Sequence, residues 1–244
     1  MQDRYAGDIG DYGKIALLRE IQSQGLSIAV NWYRVETLDA ERNADGTFKQ
    51  EDGKYHIPEK LRVCDEALAD KLTEISNGNN RSIKALEHAD FLPEALYYSN
   101  TVTVEDRIGW HRHAMDSLKD ADVVFMDPDN GMLVKSVGKR SVRSAKYVLY
   151  EEVKAYIERG QSVLVYNHRC RKQEKQYFHD ICTKLEEYTG IAEDEILKIT
   201  FPKCSVRDYL AVPASKDHHD KIDKAFAAME EGIWGQMGMC RIPR

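Results

Sequence analysis

Ala121-Asp122-Val123-Val124-Phe125-Met126-Asp127-Pro128-Asp129-Asn130-Gly131 is the segment from which the fold can be read. It begins as a short apolar run and ends in a carboxylate. That pattern marks a strand buried on both faces, as parallel strands are. A proline and an Asn-Gly pair then turn the chain away. Working outward, residues 26–33, 95–98 and 162–167 read as further short strands. Between them the apolar spacing is helical. One helix begins after Asp11-Tyr12-Gly13-Lys14, carries Ile15, Leu17, Leu18 and Ile21, and stops at Gly25. Others are expected over 59–76, 81–89, 105–119, 147–159, 172–189 and 216–231. The strands at 196–201 and 208–213 are joined too closely for a parallel crossover, so they pair antiparallel.

Strands alternating with helices predict an α/β protein, a Rossmann-like three-layer sandwich. Its sheet is mostly parallel with a C-terminal antiparallel hairpin, the arrangement of methyltransferases. The expected organisation is one domain over residues 1–231, with an inserted loop and helical segment at about 36–92. Residues 232–244 are expected to form an irregular tail.

The chain of 244 residues is 42% hydrophobic and 31% charged, with 15 glycines and 6 prolines, which is enough apolar material for a core. Its net charge of −6 excludes a uniformly basic surface, so any nucleic-acid partner would need a local basic patch. Five cysteines without a Cys-x-x-Cys pair argue against a zinc site or a disulfide framework and suit a reducing compartment. No apolar run exceeds about five residues, too short to span a membrane. The start, Met1-Gln2-Asp3-Arg4, lacks the pattern of a secretion signal. A cytoplasmic protein is expected. The sequence leaves oligomeric state open.

Ligands of open α/β sheets bind beyond the carboxyl ends of the strands. There the sequence places Asn31-Trp32-Tyr33, the Asp127–Gly131 turn, Asn167-His168-Arg169, and Lys203 and Arg207 of the hairpin. Asp127 and Asp129, with Asn130, can accept hydrogen bonds from an exocyclic amine, hold a divalent metal, or act as a general base. His168 is a candidate proton acceptor. Asp8-Ile9-Gly10-Asp11-Tyr12-Gly13-Lys14 opens a helix, where backbone amides can hold an anion, with Lys14 adding charge. It lacks the spacing of a Walker loop, and capping by Asp11 explains it equally. Residues 135–146 carry Lys135, Lys139, Arg140, Arg143 and Lys146 without an acidic residue, a candidate contact to a phosphate backbone. Arg169, Arg171, Lys172 and Arg207 add positive charge nearby. His111 and His113 are spaced wrongly to ligate one metal together, His218 and His219 are expected at the surface of the last helix, and no serine or cysteine sits in a nucleophile elbow.

At these residues the chain resembles the bacterial methyltransferases that modify adenine N6 in large-subunit ribosomal RNA. Gly7-Asp8-Ile9-Gly10-Asp11-Tyr12-Gly13-Lys14 stands where that family has a Gly-Asn-x-x-Asp-x-x-Lys-like segment. Val123-Val124-Phe125-Met126-Asp127-Pro128-Asp129-Asn130 stands where it has a strand ending in Asp-Pro-Pro-Tyr, with Asp129 and Asn130 at the last two positions. The chain also resembles bacterial proteins of unassigned function with Gly-Asp-x-Gly-Asp and Asp-Pro-Asp-Asn-Gly segments. The first resemblance implies S-adenosylmethionine as methyl donor, with Asp8, Asp11, Asn31 and Trp32 at its site. Asp127 would hold the target amine, Lys14 would position substrate, and residues 135–146, Arg169 and Arg207 would meet phosphates. Two alternatives stand beside it. One is a Mg²⁺-dependent nuclease or phosphodiesterase, with Asp8, Asp11, Asp127 and Asp129 as metal ligands, His168 as base and Arg169 on phosphate. The other is a Rossmann-like binding protein without catalysis.

Overall fold

The apolar run at 123–126 forms a strand inside the sheet, hydrogen-bonded on both sides to parallel neighbours. The computed structural model describes residues 1–36, 56–169, 172–203 and 206–243. In chain order the elements are α1 (Ile9–Ser23), β1 (Ile28–Asn31), α2 (Glu59–Arg62), α3 (Glu66–Asn77), α4 (Ile83–His88), β2 (Leu96–Tyr98), α5 (Arg107–Ser117), β3 (Val123–Met126) and β4 (Gly131–Met132). They continue with β5 (Tyr147–Val148), α6 (Tyr150–Glu158), β6 (Ser162–His168), α7 (Glu174–Thr189), β7 (Leu197–Phe201), β8 (Arg207–Val212), α8 (Lys216–Glu231), α9 (Ile233–Gln236) and β9 (Cys240–Arg241). Arg171, Cys170, Cys204 and residues 37–55 of the insertion expected at about 36–92 lie outside the described residues.

The main sheet runs β2-β1-β3-β6-β8-β7-β9. Strands β2, β1, β3 and β6 are parallel, and β8 enters antiparallel between β6 and β7. The result is a Rossmann-like α/β sandwich. Side chains alternate across the strands, so each face builds its own core. Ile28, Val30, Val123, Phe125, Leu164 and Tyr166 pack with α1, α3, α4 and α8. Ala29, Val124, Met126, Val163 and Val165 pack with α5, α6 and α7. Among the described residues no helix is long and apolar enough to cross a membrane.

Three expectations are corrected. The helix predicted at 59–76 is two helices, α2 and α3, broken at Val63–Asp65. Asp65 caps α3 by accepting from Leu68 N at 2.9 Å. The Tyr12 hydroxyl, reaching across from α1, donates within 3.0 Å of Leu61 O and 3.1 Å of Asp65 O and accepts from Asp65 N at 2.8 Å. A side chain from elsewhere thus satisfies the backbone groups that the break frees. The tail is not irregular: it forms α9 and then β9, which extends the sheet beside β7, with Ile242 N donating to Lys198 O at 2.9 Å. His219, expected at the surface, is buried on α8.

A buried ion pair ties the turn after β1 to the opposite helix layer. Glu152 accepts from Arg107 Nε (2.5 Å) and Nη2 (2.9 Å), from the Tyr33 hydroxyl (3.0 Å) and from Leu149 N (2.9 Å). Glu152→Ala leaves the Arg107 charge buried without a carboxylate, and breaking such a pair costs about 3–5 kcal/mol. Urea titration should show that loss; a change below about 1 kcal/mol, the scale of an exposed pair, would contradict the role given to the pair.

Candidate functional site at the carboxyl ends of the strands

Two glycines let α1 settle onto the sheet. A Cβ at Gly10 would stand 2.8 Å from the Tyr166 hydroxyl oxygen, and one at Gly13 would stand 2.8 Å from Phe201 Cδ1. Asp8 caps the helix, accepting from Gly10 N (2.7 Å) and Asp11 N (3.1 Å). Asp11, expected as an alternative cap, instead accepts from Gly7 N at 2.8 Å. One turn on, Lys14 reaches the end of β3.

Lys14 is the centre of the cluster. Its Nζ lies 2.8 Å from Asp11 Oδ1 and 2.8 Å from Asp127 Oδ2, and it stands 4.6 Å from the Tyr166 ring centroid. Burial alone would push the ammonium down, but Asp11, Asp127, Tyr166 and Asp8 outweigh it and hold the group well above the ordinary lysine value. Tyr166 accepts from Arg207 Nε at 2.9 Å. Burial, with Asp11 beside it, raises the Asp8 carboxyl.

The two carboxylates of the turn are driven in opposite directions. Burial raises Asp127, and Lys14 and the Met1 amine offset this only in part. Burial acts on Asp129 too, but the Met1 amine, Gln2 and Lys146 pull it below the usual carboxylate range. Met1 N lies 3.0 Å from Asp129 Oδ1, Gln2 Nε2 donates to Oδ2 at 2.6 Å, and Lys146 Nζ is 3.7 Å away. Two carboxyls on one turn with opposed shifts are a mark of a functional site. Gly131 completes the turn at φ 97°, where a Cβ would fall 1.9 Å from Asn167 Oδ1. That oxygen accepts from Met132 N at 2.6 Å, so only glycine fits.

The remaining candidates divide. Asn31 and Trp32 are buried and engaged within the protein: Asn31 Oδ1 accepts from Tyr33 N (3.3 Å) and Trp32 Nε1 donates to Glu87 (3.0 Å). His168 is half-buried and stacks edge-on to Tyr166. Burial and then the Arg207 charge push its imidazole down to about 3, so it is held neutral, an acceptor of hydrogen bonds and a poor store for protons at pH 7. Arg169 is committed to the fold, donating to Asp208 (2.6 and 3.0 Å), Thr200 (2.8 Å) and Glu174. Of the basic segment, Lys135, Arg140 and Arg143 are exposed, Lys139 pairs with Glu151, and Lys146 turns inward to Asp129.

Beside the turn lies a cleft of about 430 Å³, lined among others by Val35, Glu36, Val102, Glu105, Asn130, Arg143, Lys146 and Tyr147. Val35 and Glu36 follow β1, Val102 and Glu105 follow β2, and Asn130 follows β3, at the end of the sheet where an open α/β fold takes its ligand. Tyr33, between β1 and the cleft, is buried with φ 44°, a backbone state usually left to glycine. An edge-to-face contact with Trp110 (5.0 Å between ring centroids) and the Glu152 hydrogen bond hold it there.

Among the described residues no group of three or more His, Cys, Asp or Glu side chains is arranged to hold a metal ion. The four aspartates proposed as Mg²⁺ ligands do not fit that role: Lys14 bridges Asp11 and Asp127, and the Met1 amine lies on Asp129. Sequence reasoning missed Met1, Gln2 and Tyr166. Tyr166 carried a signal, since it lies two residues before His168 on the same strand face. No family model matches the chain, and no curated protein matches it.

The His168 shift has a measurable consequence. The folded chain refuses a proton that the unfolded chain takes up below 6.5, so stability is full above that pH and falls as pH drops toward about 3. In His168→Gln that part of the slope should vanish, seen in urea titrations at pH 4.5, 5.5 and 6.5. Identical slopes in both proteins would refute the assignment.

Proposed function

We propose that the protein is an S-adenosylmethionine-dependent methyltransferase acting on the amino group of a nucleic-acid base. The observation that carries this reading is the cleft of about 430 Å³ at the ends of β1 and β2, which abuts the Asp127–Gly131 turn at Asn130. Its volume suits a small-molecule ligand, for which about 300–1,000 Å³ is usual. Its lining also suits the donor. Glu36 and Glu105 can accept hydrogen bonds from ribose hydroxyls, and Val35, Val102 and Val104 offer apolar surface to an adenine ring. Bound there, the donor would supply an electrophilic methyl group on a sulfonium.

The chain's own residues would do the rest. Asp127 would accept an N–H of the target amine, and Lys14, fixed between Asp11 and Asp127, would hold that carboxylate in one orientation. Lys135, Arg140 and Arg143, exposed on the segment after the turn, would neutralise phosphates. A binding protein without transfer chemistry is the second reading. It is favoured by the internal neutralisation of Asp127 and Asp129, whose side chains are 1% and 6% exposed.

Calorimetric titration should give micromolar binding of S-adenosylmethionine, weakened at least tenfold in Glu105→Gln. Transfer of labelled methyl groups to an RNA or DNA pool should fall at least 100-fold in Asp127→Asn while donor binding persists. In Arg140→Ala and Arg143→Ala, nucleic-acid affinity should lose salt dependence, by about 0.7–0.9 in log–log slope per lost phosphate contact. Absence of donor binding at millimolar concentration would sink the methyltransferase reading. Donor binding without transfer to either pool would favour the second.

A further inference from the structure

Val142, an apolar side chain beside the proposed site, is 68% exposed. Single exposed apolar residues are ordinary on a protein surface, so exposure alone means little. The setting of this one is what distinguishes it. Val142 opens a 3₁₀ turn, Val142–Lys146, and lines the cleft. The turn is held at both ends. Ser141 N donates to Gly138 O at 3.0 Å, Ser144 N to Ser141 O at 2.8 Å, and the Ser144 hydroxyl to Lys139 O at 2.9 Å. Asn130 N donates to Lys146 O at 2.9 Å, which fastens this segment to the Asp127–Gly131 turn. Ser144 and Ala145 are buried. Val142 is therefore presented to solvent by backbone anchored on either side.

The charges around it are of one sign. Arg140 and Arg143 flank Val142 and are exposed, and residues 135–146 hold no acidic residue. Lys139 is paired with Glu151, but among the described residues no carboxylate pairs with Arg140 or Arg143. An aliphatic projection between two such cations suits a partner with phosphates outside and flat apolar faces between them. A nucleic-acid strand is such a partner. Apolar side chains inserted between base steps unstack them while cations hold the adjoining phosphates. The proposed chemistry also needs this step. Asp127 is 1% exposed, so a base still stacked on its neighbours cannot bring its amine there.

We infer that Val142 is a wedge: a strand whose phosphates lie on Arg140 and Arg143 is opened at one base step by the Val142 side chain, at the rim of the cleft. The inference rests on the nucleic-acid half of the proposed function and needs neither the donor nor methyl transfer.

The probe is a single-stranded oligonucleotide of ethenoadenosine, about twelve nucleotides long, a length that such surfaces cover. Stacking quenches its fluorescence, and unstacking restores it. Anisotropy gives the affinity, and brightness at saturation reports the opened step. With the wild-type protein the probe should brighten about twofold or more. Val142→Ala and Val142→Ser should bind within about threefold of wild type, because the phosphate contacts remain, yet lose most of the brightening. Val142→Leu should keep it. The double variant Arg140→Ala/Arg143→Ala should bind about tenfold or more weakly but brighten the probe normally once saturated. Val63→Ala, which removes another exposed apolar residue, on the link between α2 and α3, should behave as wild type. Brightening that survives in Val142→Ala and Val142→Ser, or wild-type binding without brightening, would overturn the wedge and leave nucleic-acid binding standing. No binding at low salt would overturn the wedge together with the nucleic-acid half of the proposed function, whereas binding of S-adenosylmethionine would stand or fall separately.

Discussion

The buried ammonium of Lys14, 2.8 Å from both Asp11 and Asp127, is the constraint around which the site is arranged. Two carboxylates cannot share a dry pocket at neutral pH without a cation between them. Lys14 supplies it, and so fixes the start of α1 over the end of β3. That position demands the close approach of α1 to the sheet at Gly10 and Gly13, where Tyr166 and Phe201 leave no room for a side chain. The tightness of the helix packing and the polarity of the site follow from one requirement.

A second set of contacts acts from the other side of the sheet. Tyr33 sits in a left-handed conformation, held by Trp110 and by a carboxylate, Glu152, that Arg107 grips with two nitrogens. The turn after β1 thus takes a shape that glycine would adopt freely. Strain of this kind persists only when several contacts enforce it. Here it lies two residues before Val35, which lines the cleft, and the amino group of Met1 binds the Tyr33 carbonyl. Asp127 and Asp129, two residues apart, consequently meet different fields: Asp127 is raised by burial, and Asp129 is lowered by the neighbouring amine.

Much of the frame was legible because it rests on local pattern. The apolar run at 123–126, the carboxylate ending it and the short link between β7 and β8 each carry their own signal. Helix α8, capped by Ser215, runs over the predicted 216–231. What escaped depends on distant partners. The break between α2 and α3 is stabilised by Tyr12, some fifty residues earlier in the chain. Arg169 reads as a phosphate contact until the register of β6 against β8 brings it beside Asp208. The Asn-Gly turn was legible as a turn, but the reason that Gly131 cannot carry a side chain lies in Asn167. An amino group at the first residue has no side-chain letter at all, so nothing in the pattern points to Met1 as a member of the site.

Whether the ends of β1, β2 and β3 form a donor site is decided most directly by backbone NMR of the protein titrated with S-adenosylmethionine. A donor in the cleft predicts saturable shifts concentrated at Val35, Val102, Glu105, Asn130 and Tyr147, with β7, β8 and α8 unmoved. Shifts confined to the edge near β9, or none at saturating donor, would contradict the assignment of this end of the sheet.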